Sequence, residues 1–186
     1  MKKLKFQNLS GERLDLVKVT MDGLDDIHEY SIMEDFFTYF EYNTFKSKNQ
    51  SRIFIENLMS LDSQNSKSWF IRLKDGKVIG TFVIRDINIK RKSCEITYGL
   101  SPCFWGQGYF QEAMKLVITY LFKKLKFHRI LAKVHINNKK SIRSLKNIGF
   151  KYEGKMRDFL CDEKENRFDV VFLSLLKYDG FRKDTK

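Results

Sequence analysis

Phe104-Trp105-Gly106-Gln107-Gly108-Tyr109-Phe110, continuing as Gln111-Glu112-Ala113-Met114-Lys115-Leu116-Val117-Ile118-Thr119-Tyr120-Leu121-Phe122, is the stretch from which the rest of the chain can be placed. Two glycines one residue apart, directly before a long apolar-periodic run, describe a backbone that turns tightly and then opens a helix. Phe110, Ala113, Val117, Tyr120 and Leu121 recur at three- and four-residue steps and form a stripe that can lie on a sheet. The first turn of such a helix cannot satisfy its own N–H groups. With no side chain at Gly106 or Gly108, an anionic oxygen could approach those groups along the helix dipole. The loop is therefore read either as a pyrophosphate cradle or as a plain turn, since a Gly-x-Gly before a helix is common.

Working downstream, residues 129–136 alternate, with Ile130, Ala132, Val134 and Ile136 on one face, and predict a strand. A second helix is expected over residues 141–148, with Gly149 as its left-handed terminator and Phe150 opening the next strand. The last two strands fall at 152–157 and 167–175. The polar segment 158–166 between them reads as too long for a tight hairpin. Asp169, on an otherwise apolar strand, reads as paired internally, for instance with Arg157, or else as directed at the acceptor cleft, the pairing being favoured.

Upstream, residues 13–19 read as the first strand, and Thr20 as the N-cap of a helical stretch from Met21 that carries His28 as a packed or solvated residue. Residues 51–61 form another helical pattern. Trp69 to Lys74 and Lys77 to Ile84 flank Asp75-Gly76, a dipeptide suited to a type I′ hairpin turn. A basic turn at 88–93 leads into the strand 94–100, which Pro102 ends.

The run Glu95-Ile96-Thr97-Tyr98-Gly99-Leu100-Ser101-Pro102-Cys103-Phe104-Trp105-Gly106-Gln107-Gly108-Tyr109, followed by Asn138-Lys139-Lys140-Ser141 and Gly149-Phe150, resembles the GNAT superfamily of acyl-CoA-dependent N-acyltransferases. It is most similar to the branch containing ribosomal-protein alanine acetyltransferases. The resemblance runs from about residue 12 to residue 177 and rests on the order of the motifs. It implies an α/β fold of GNAT type, a strongly twisted mixed β-sheet with helices on both faces. It also implies acetyl-CoA or another short acyl-CoA as donor, with no metal. The cofactor would be held by Leu100, Trp105, Gly106, Gln107, Gly108, Tyr109, Phe110 and Asn138. Trp105 stands where the superfamily usually has Arg or Gln. Phe110 stands where it favours Gly or Ala, which changes how the helix start packs. The strand is expected to splay from its neighbour near Leu100 and so free backbone groups for the pantetheine arm.

An amine attacks a thioester only as the free base, so the enzyme must accept a proton, stabilise an oxyanion and protonate the departing thiolate. No Cys–His or Ser–His pair is needed. Glu95 matches an acidic position used as base in the superfamily; the alternative is a structural carboxylate paired with a neighbouring-strand cation such as Arg85. Ser141 matches a position for the acid, and Asn138 and Ser141 both also make sense as helix caps. The segment 35–45 carries six aromatic residues in eleven. It reads as an acceptor-pocket wall, with Phe40, Glu41 and Tyr42 as substrate-binding residues, or as an apolar clasp or homodimer contact.

The chain has 186 residues, 42% of them hydrophobic, and no repeat or linker, and is expected to form one domain spanning residues 1–186. The net charge of +12 is read as a solvated Lys-rich surface, or as favouring anionic partners, whether nucleic acid, a CoA or nucleotide ligand, or acidic lipid. The three cysteines, Cys94, Cys103 and Cys161, have neither metal-ligand nor disulfide spacing. No run approaches a membrane span or signal peptide, so the cytoplasm is the expected compartment. The acceptor is expected to be a small-molecule or nucleotide-linked amine such as an amino sugar, or alternatively a protein N-terminus. A third reading, a non-catalytic nucleic-acid or ribosome-associated module, is weakened because no contiguous basic stripe with exposed aromatics stands in the sequence.

Overall fold

The computed structural model describes residues 6–41, 44–61 and 65–179. Eight strands form one sheet: β1 (Leu9–Ser10), β2 (Leu14–Lys18), β3 (Lys67–Leu73), β4 (Val78–Asn88), β5 (Ser93–Leu100), β6 (Arg129–His135), β7 (Lys151–Cys161) and β8 (Arg167–Leu176). Their order is β1-β2-β3-β4-β5-β6-β8-β7. The sheet is mixed, because β5 and β6 run parallel while their outer neighbours run antiparallel. Helices α1 (Leu24–Ser31), α2 (Glu34–Phe37), α3 (Lys48–Leu61), α4 (Tyr109–Thr119) and α5 (Lys139–Ile148) cover it.

Side-chain alternation assigns the helices to opposite faces. Trp69, Ile71, Phe82, Ile84, Ile96 and Val134 pack with Ala113 and Val117 of α4 and Leu145 of α5. Phe70 and Val83 instead face Ile27 of α1, Phe36 of α2 and Ile55 of α3. The α/β mixed sheet with helices on both faces thus follows from period-two strands meeting period-3.6 helices. At the predicted cap, the Thr20 hydroxyl turns to Asp22 and leaves the backbone uncapped, so a 3₁₀ turn (Met21–Gly23) precedes α1. His28 Nδ1 lies 3.0 Å from the Ser51 hydroxyl and ties α1 to α3.

Three expectations are corrected. The β3–β4 connection is not a two-residue type I′ turn. Gly76 has positive φ but Asp75 does not, and Leu73 N–H bonds to Lys77 C=O across a three-residue loop. Strand β7 runs on to Cys161 instead of stopping at Arg157, with a register shift between Met156 and Leu160 and positive φ at Asp158 that absorb the extra residues. The β7–β8 loop is therefore short. Asp169 is paired internally as expected, but with Lys155 at 2.7 Å and the Asp158 N–H at 3.1 Å.

Candidate functional site

The parallel pairing of β5 with β6 stops at Ile96↔Ala132. Beyond that row β5 stays bonded to β4 as far as Gly80↔Leu100, and β6 stays bonded to β8 as far as His135↔Val170. Each strand follows its outer neighbour, so 97–100 and 133–135 part into a V with unshared inner edges. Glu95 sits one row below the vertex. Its carboxylate, only 7% exposed, lies 2.7 Å from Lys133 Nζ, which reaches back from the first residue past the vertex, and 3.6 Å from Arg85 Nε. Sequence reasoning left Glu95 either a base or a paired carboxylate; the geometry is that of the pair.

At the mouth of the V, Gly106 and Gly108 both have positive φ, +75° and +83°. Gly108 is the N-cap of α4 and carries no side-chain cap. The first intrahelical bond runs from Glu112 N–H to Gly108 C=O, so the N–H groups of Tyr109, Phe110 and Gln111 have no helical partner. A Cβ placed on Gly106 would meet nothing within 4 Å, so the peptide there is open to a ligand. Donors without partners, a bare peptide and a gap between strands fit a pyrophosphate with a pantetheine arm.

Trp105 fits differently from expectation. Its amide N–H is used by Pro102 C=O and its indole N–H by Leu100 C=O at 2.8 Å. It therefore ties the loop to the end of β5, and only its ring, with Lys140 Nζ 5.2 Å from its centre, faces outward. Gln107 folds back onto the Cys103 carbonyl. The bulky Phe110 is seated by Tyr98, with ring centres 4.5 Å apart.

Arg13, 99 residues before Glu112 in sequence, holds the loop from the side. Its guanidinium bonds Glu112 at 2.8 Å and the Gln107 carbonyl at 2.9 Å and lies over the Tyr109 ring, while its own N–H also reaches Glu112. Sequence reasoning missed this brace; Glu112 in the first helical turn was the available signal. Burial opposes the charge on Glu112, but the Arg13 N–H and guanidinium outweigh it and hold the carboxyl below its ordinary value. The stability this gives is complete above the unfolded value of about 4.3 and is lost as pH falls through the lower folded value. The melting-temperature gap between the native chain and Glu112→Gln is therefore expected to be constant near neutrality and to close in acid.

Across the V, Asn138 and not Ser141 caps α5: its Oδ1 accepts the Ser141 N–H at 3.0 Å, leaving its amide donors for a ligand. The Ser141 hydroxyl instead lies 2.7 Å from the Tyr98 hydroxyl. Burial pushes the Tyr98 phenol upward, partly offset by Ser141, so it stays protonated through the physiological range. Tyr98, on the splayed part of β5, is a second group that sequence reasoning did not single out. Cys94 is buried, and burial pushes its thiol up to about 12, which favours the neutral form.

On the other face of the V opens a cavity of about 740 Å³, lined by Phe36, Phe40, Phe45, Phe54, Thr97 and Gly99 among others. A Cβ on Gly99 would stand 2.8 Å from Phe36, so that ring lies against bare backbone at the gap, with Phe40 next to it. The aromatic segment is thus part core, at Phe36 and Phe37, and part cavity wall, at Phe36, Phe40 and Phe45. Glu41 accepts from the Cys161 N–H at 3.4 Å and joins this segment to β7; Tyr42 lies outside the described residues. His135, at the tip of β6, lies between the tilted rings of Tyr39 and Phe168, with Nδ1 accepting the Asn137 N–H and burial favouring the neutral ring. Among the described residues there is no cluster of metal-ligating side chains, and no helix is long and apolar enough to cross a membrane.

A family model described as "Acetyltransferase (GNAT) domain" matches residues 13–151. The chain is 33% identical over 174 residues to the uncharacterized N-acetyltransferase p20 of Bacillus licheniformis, covering 92% of this chain and 97% of that one. It is 32% identical over 79 residues to the [ribosomal protein uS5]-alanine N-acetyltransferase of Escherichia coli (strain K12), covering 42% of this chain and 41% of that one. Among solved structures, the microcin C7 self immunity acetyltransferase MccE, in complex with acetyl-CoA and AMP, superposes with a TM-score of 0.79 at 20% identity, covering 89% of this chain and 93% of that one.

Proposed function

Because this chain belongs to the GNAT acetyltransferases and is thereby an acyl-CoA-dependent N-acyltransferase, we propose that it moves an acetyl group from acetyl-CoA to the α-amino group of a protein N-terminus. The observation that carries the choice of acceptor is the charge of the cavity beside Gly99. Its charged lining residues are Lys46, Arg85, Asp86 and Glu163. Arg85 is already committed, donating to the Thr97 hydroxyl at 3.1 and 2.7 Å and lying beside Glu95. These two cations and two carboxylates balance, and the wall around them is largely aromatic and aliphatic, so the cavity offers no cluster of positive charge for the diphosphate of a nucleotide-linked amino sugar. A volume of about 740 Å³ suits the first residues of a peptide. The similarity to the uS5-alanine enzyme supports the same acceptor class.

In this reading the α4 N–H groups and the loop around Gly106 and Gly108 hold the pyrophosphate, and the amide of Asn138 and the inner edge of β5 near Leu100 hold the pantetheine. Phe36 and Phe40 wall the acceptor; Ser141 donates a proton to the departing thiolate and takes one from Tyr98 in the same step, and Tyr98 regains one from cleft water. Glu95 is a positioning residue that pins the vertex through Lys133, and cleft water takes the amine proton.

A thiol-release assay tests the acceptor. Peptides with a free N-terminus are expected to turn over, while N-blocked peptides and nucleotide-linked amino sugars are not; the reverse order would return the acceptor to a small amine. Phe40→Ala is expected to raise the acceptor's KM several-fold with acetyl-CoA affinity unchanged, because the ring touches the cavity and not the loop. Glu95→Gln is expected to cost about 2 kcal/mol of stability, the scale of a buried charged hydrogen bond, and to leave the acid limb of the pH–rate profile in place. A displaced acid limb would make Glu95 the base.

A further inference from the structure

The cations that the sequence scatters are gathered by the fold at one end of the sheet. Lys90, Arg91 and Lys92 form the β4–β5 turn, and Lys123, Lys124 and Lys126 lie where α4 gives way to a π turn (Tyr120–Lys124) and then to β6. The two segments are bonded to each other. The Lys92 carbonyl accepts the N–H groups of His128 at 2.6 Å and Arg129 at 3.2 Å. A third segment joins them, because Lys177 N–H donates to the His128 carbonyl at 3.0 Å. All seven basic side chains are exposed. Among the described residues none of the seven makes an ion pair. The nearby carboxylates are taken, Glu153 by Arg129 and Asp179 by Lys151.

Seven exposed like charges gathered at one end of the sheet, without ion partners among the described residues, repel one another at a cost that solvent screening reduces. Lys92 and Lys126 add to it, holding positive φ of +52° and +59° in the two touching turns. Tyr178 stands among these cations, 80% exposed, its ring 5.5 Å from that of His128. We infer that this end is a docking surface for RNA, the lysines and arginine meeting phosphates and Tyr178 stacking on an unpaired base. The polyanion accounts for the charge and the ring for the choice of polyanion: RNA loops present splayed bases that aromatic side chains stack upon. An acidic membrane would take a broad apolar face between the cations, and among the described residues Ile89 and Tyr178 are the exposed large apolar residues here.

The surface lies at the start of β5, about 20 Å by strand rise from the opened end of the V, so a bound RNA leaves the transfer site uncovered. The inference stands apart from the identity of the acceptor, and its test needs neither acetyl donor nor amine. Binding of the full chain to a fluorescent stem–loop RNA is measured by anisotropy across a salt series. Affinity is expected to fall with salt at a log–log slope of about −3 to −6, as four to seven phosphate contacts require. Charge reversal in a chain carrying K90E, R91E, K124E and K126E is expected to weaken binding at least about thirtyfold and to flatten that slope. Acetyl-CoA affinity and the melting temperature report that this chain is folded; if it is not, K→Q and R→Q substitutions at the same positions replace it. Tyr178→Ala is expected to weaken binding to the stem–loop and not to a blunt duplex. Absence of salt-dependent binding, or unchanged binding by the charge variants, overturns the proposal. So does equal charge-dependent binding to phosphatidylserine vesicles with none to RNA, which would make the partner a membrane.

Discussion

Gly108→Val is expected to weaken acetyl-CoA binding by at least tenfold, read directly by calorimetry. Gly108 combines three demands in one position: φ of +83°, the N-cap of α4, and a Cβ position 3.2 Å from the Arg13 guanidinium. A β-branched side chain there costs about 1–2 kcal/mol in the left-handed region and presses on the brace that holds Gln107. The loop relaxes by moving the N–H groups of Tyr109 to Gln111, which have no helical partner and in the proposed site address the pyrophosphate. Losing even one charge-assisted hydrogen bond, about 1.5–3 kcal/mol, is tenfold or more in affinity. Gly76→Val supplies the control, because Gly76 has φ of +99° and open space around it but belongs to the β3–β4 turn. The two variants should lose comparable stability, and only Gly108→Val should lose acetyl-CoA. Equal affinity in all three chains would remove the loop from the donor site.

What could be read from the sequence was local. The loop, α4, the alternation of β6, and α5 with Gly149 at φ +119° each depend on residues a few positions apart, and each stands where it was expected except that α5 starts two residues earlier, at Lys139. The splay was expected only by resemblance; its physical cause, two strands each following an outer partner, exists only in the assembled sheet. The unforeseen parts of the site are pairs distant in sequence. Arg13 meets Glu112, Tyr98 meets Ser141, and Lys133 reaches Glu95 diagonally across the vertex. No periodicity encodes such pairs, because the contact is made by the third dimension of the sheet. The extended β7 escaped for a different reason: non-glycine residues at positive φ, Asp158 and Glu165, carry its bulge and turn, and nothing in their side chains announces it. The basic end was missed in the same way, its three segments being far apart in sequence and joined by backbone bonds at Lys92 and His128.

Ser141→Ala is the most informative change at the chemical step. Once Asn138 is seen to cap α5, the Ser141 hydroxyl is free of any structural duty to the helix, so its removal should leave the melting temperature and acetyl-CoA affinity nearly unchanged. Among the described residues its hydrogen-bond partner is the Tyr98 phenol, which burial holds protonated, so a proton passes through the pair toward the V only as Tyr98 regains one from the cleft. If that proton goes to the departing thiolate, kcat should fall by about 10²-fold, the lower range for a positioned general acid, with KM for the acceptor little altered. Tyr98→Phe keeps the ring packed on Phe110 and removes only the resupply, so its loss should be smaller, and the double variant should be no slower than Ser141→Ala alone. A donor with a more acidic thiol leaving group would restore most of the lost rate, because a thiolate that leaves unaided needs no acid. If Ser141→Ala slows both donors equally, the hydroxyl shapes the cleft, and the proton for the thiolate comes from water.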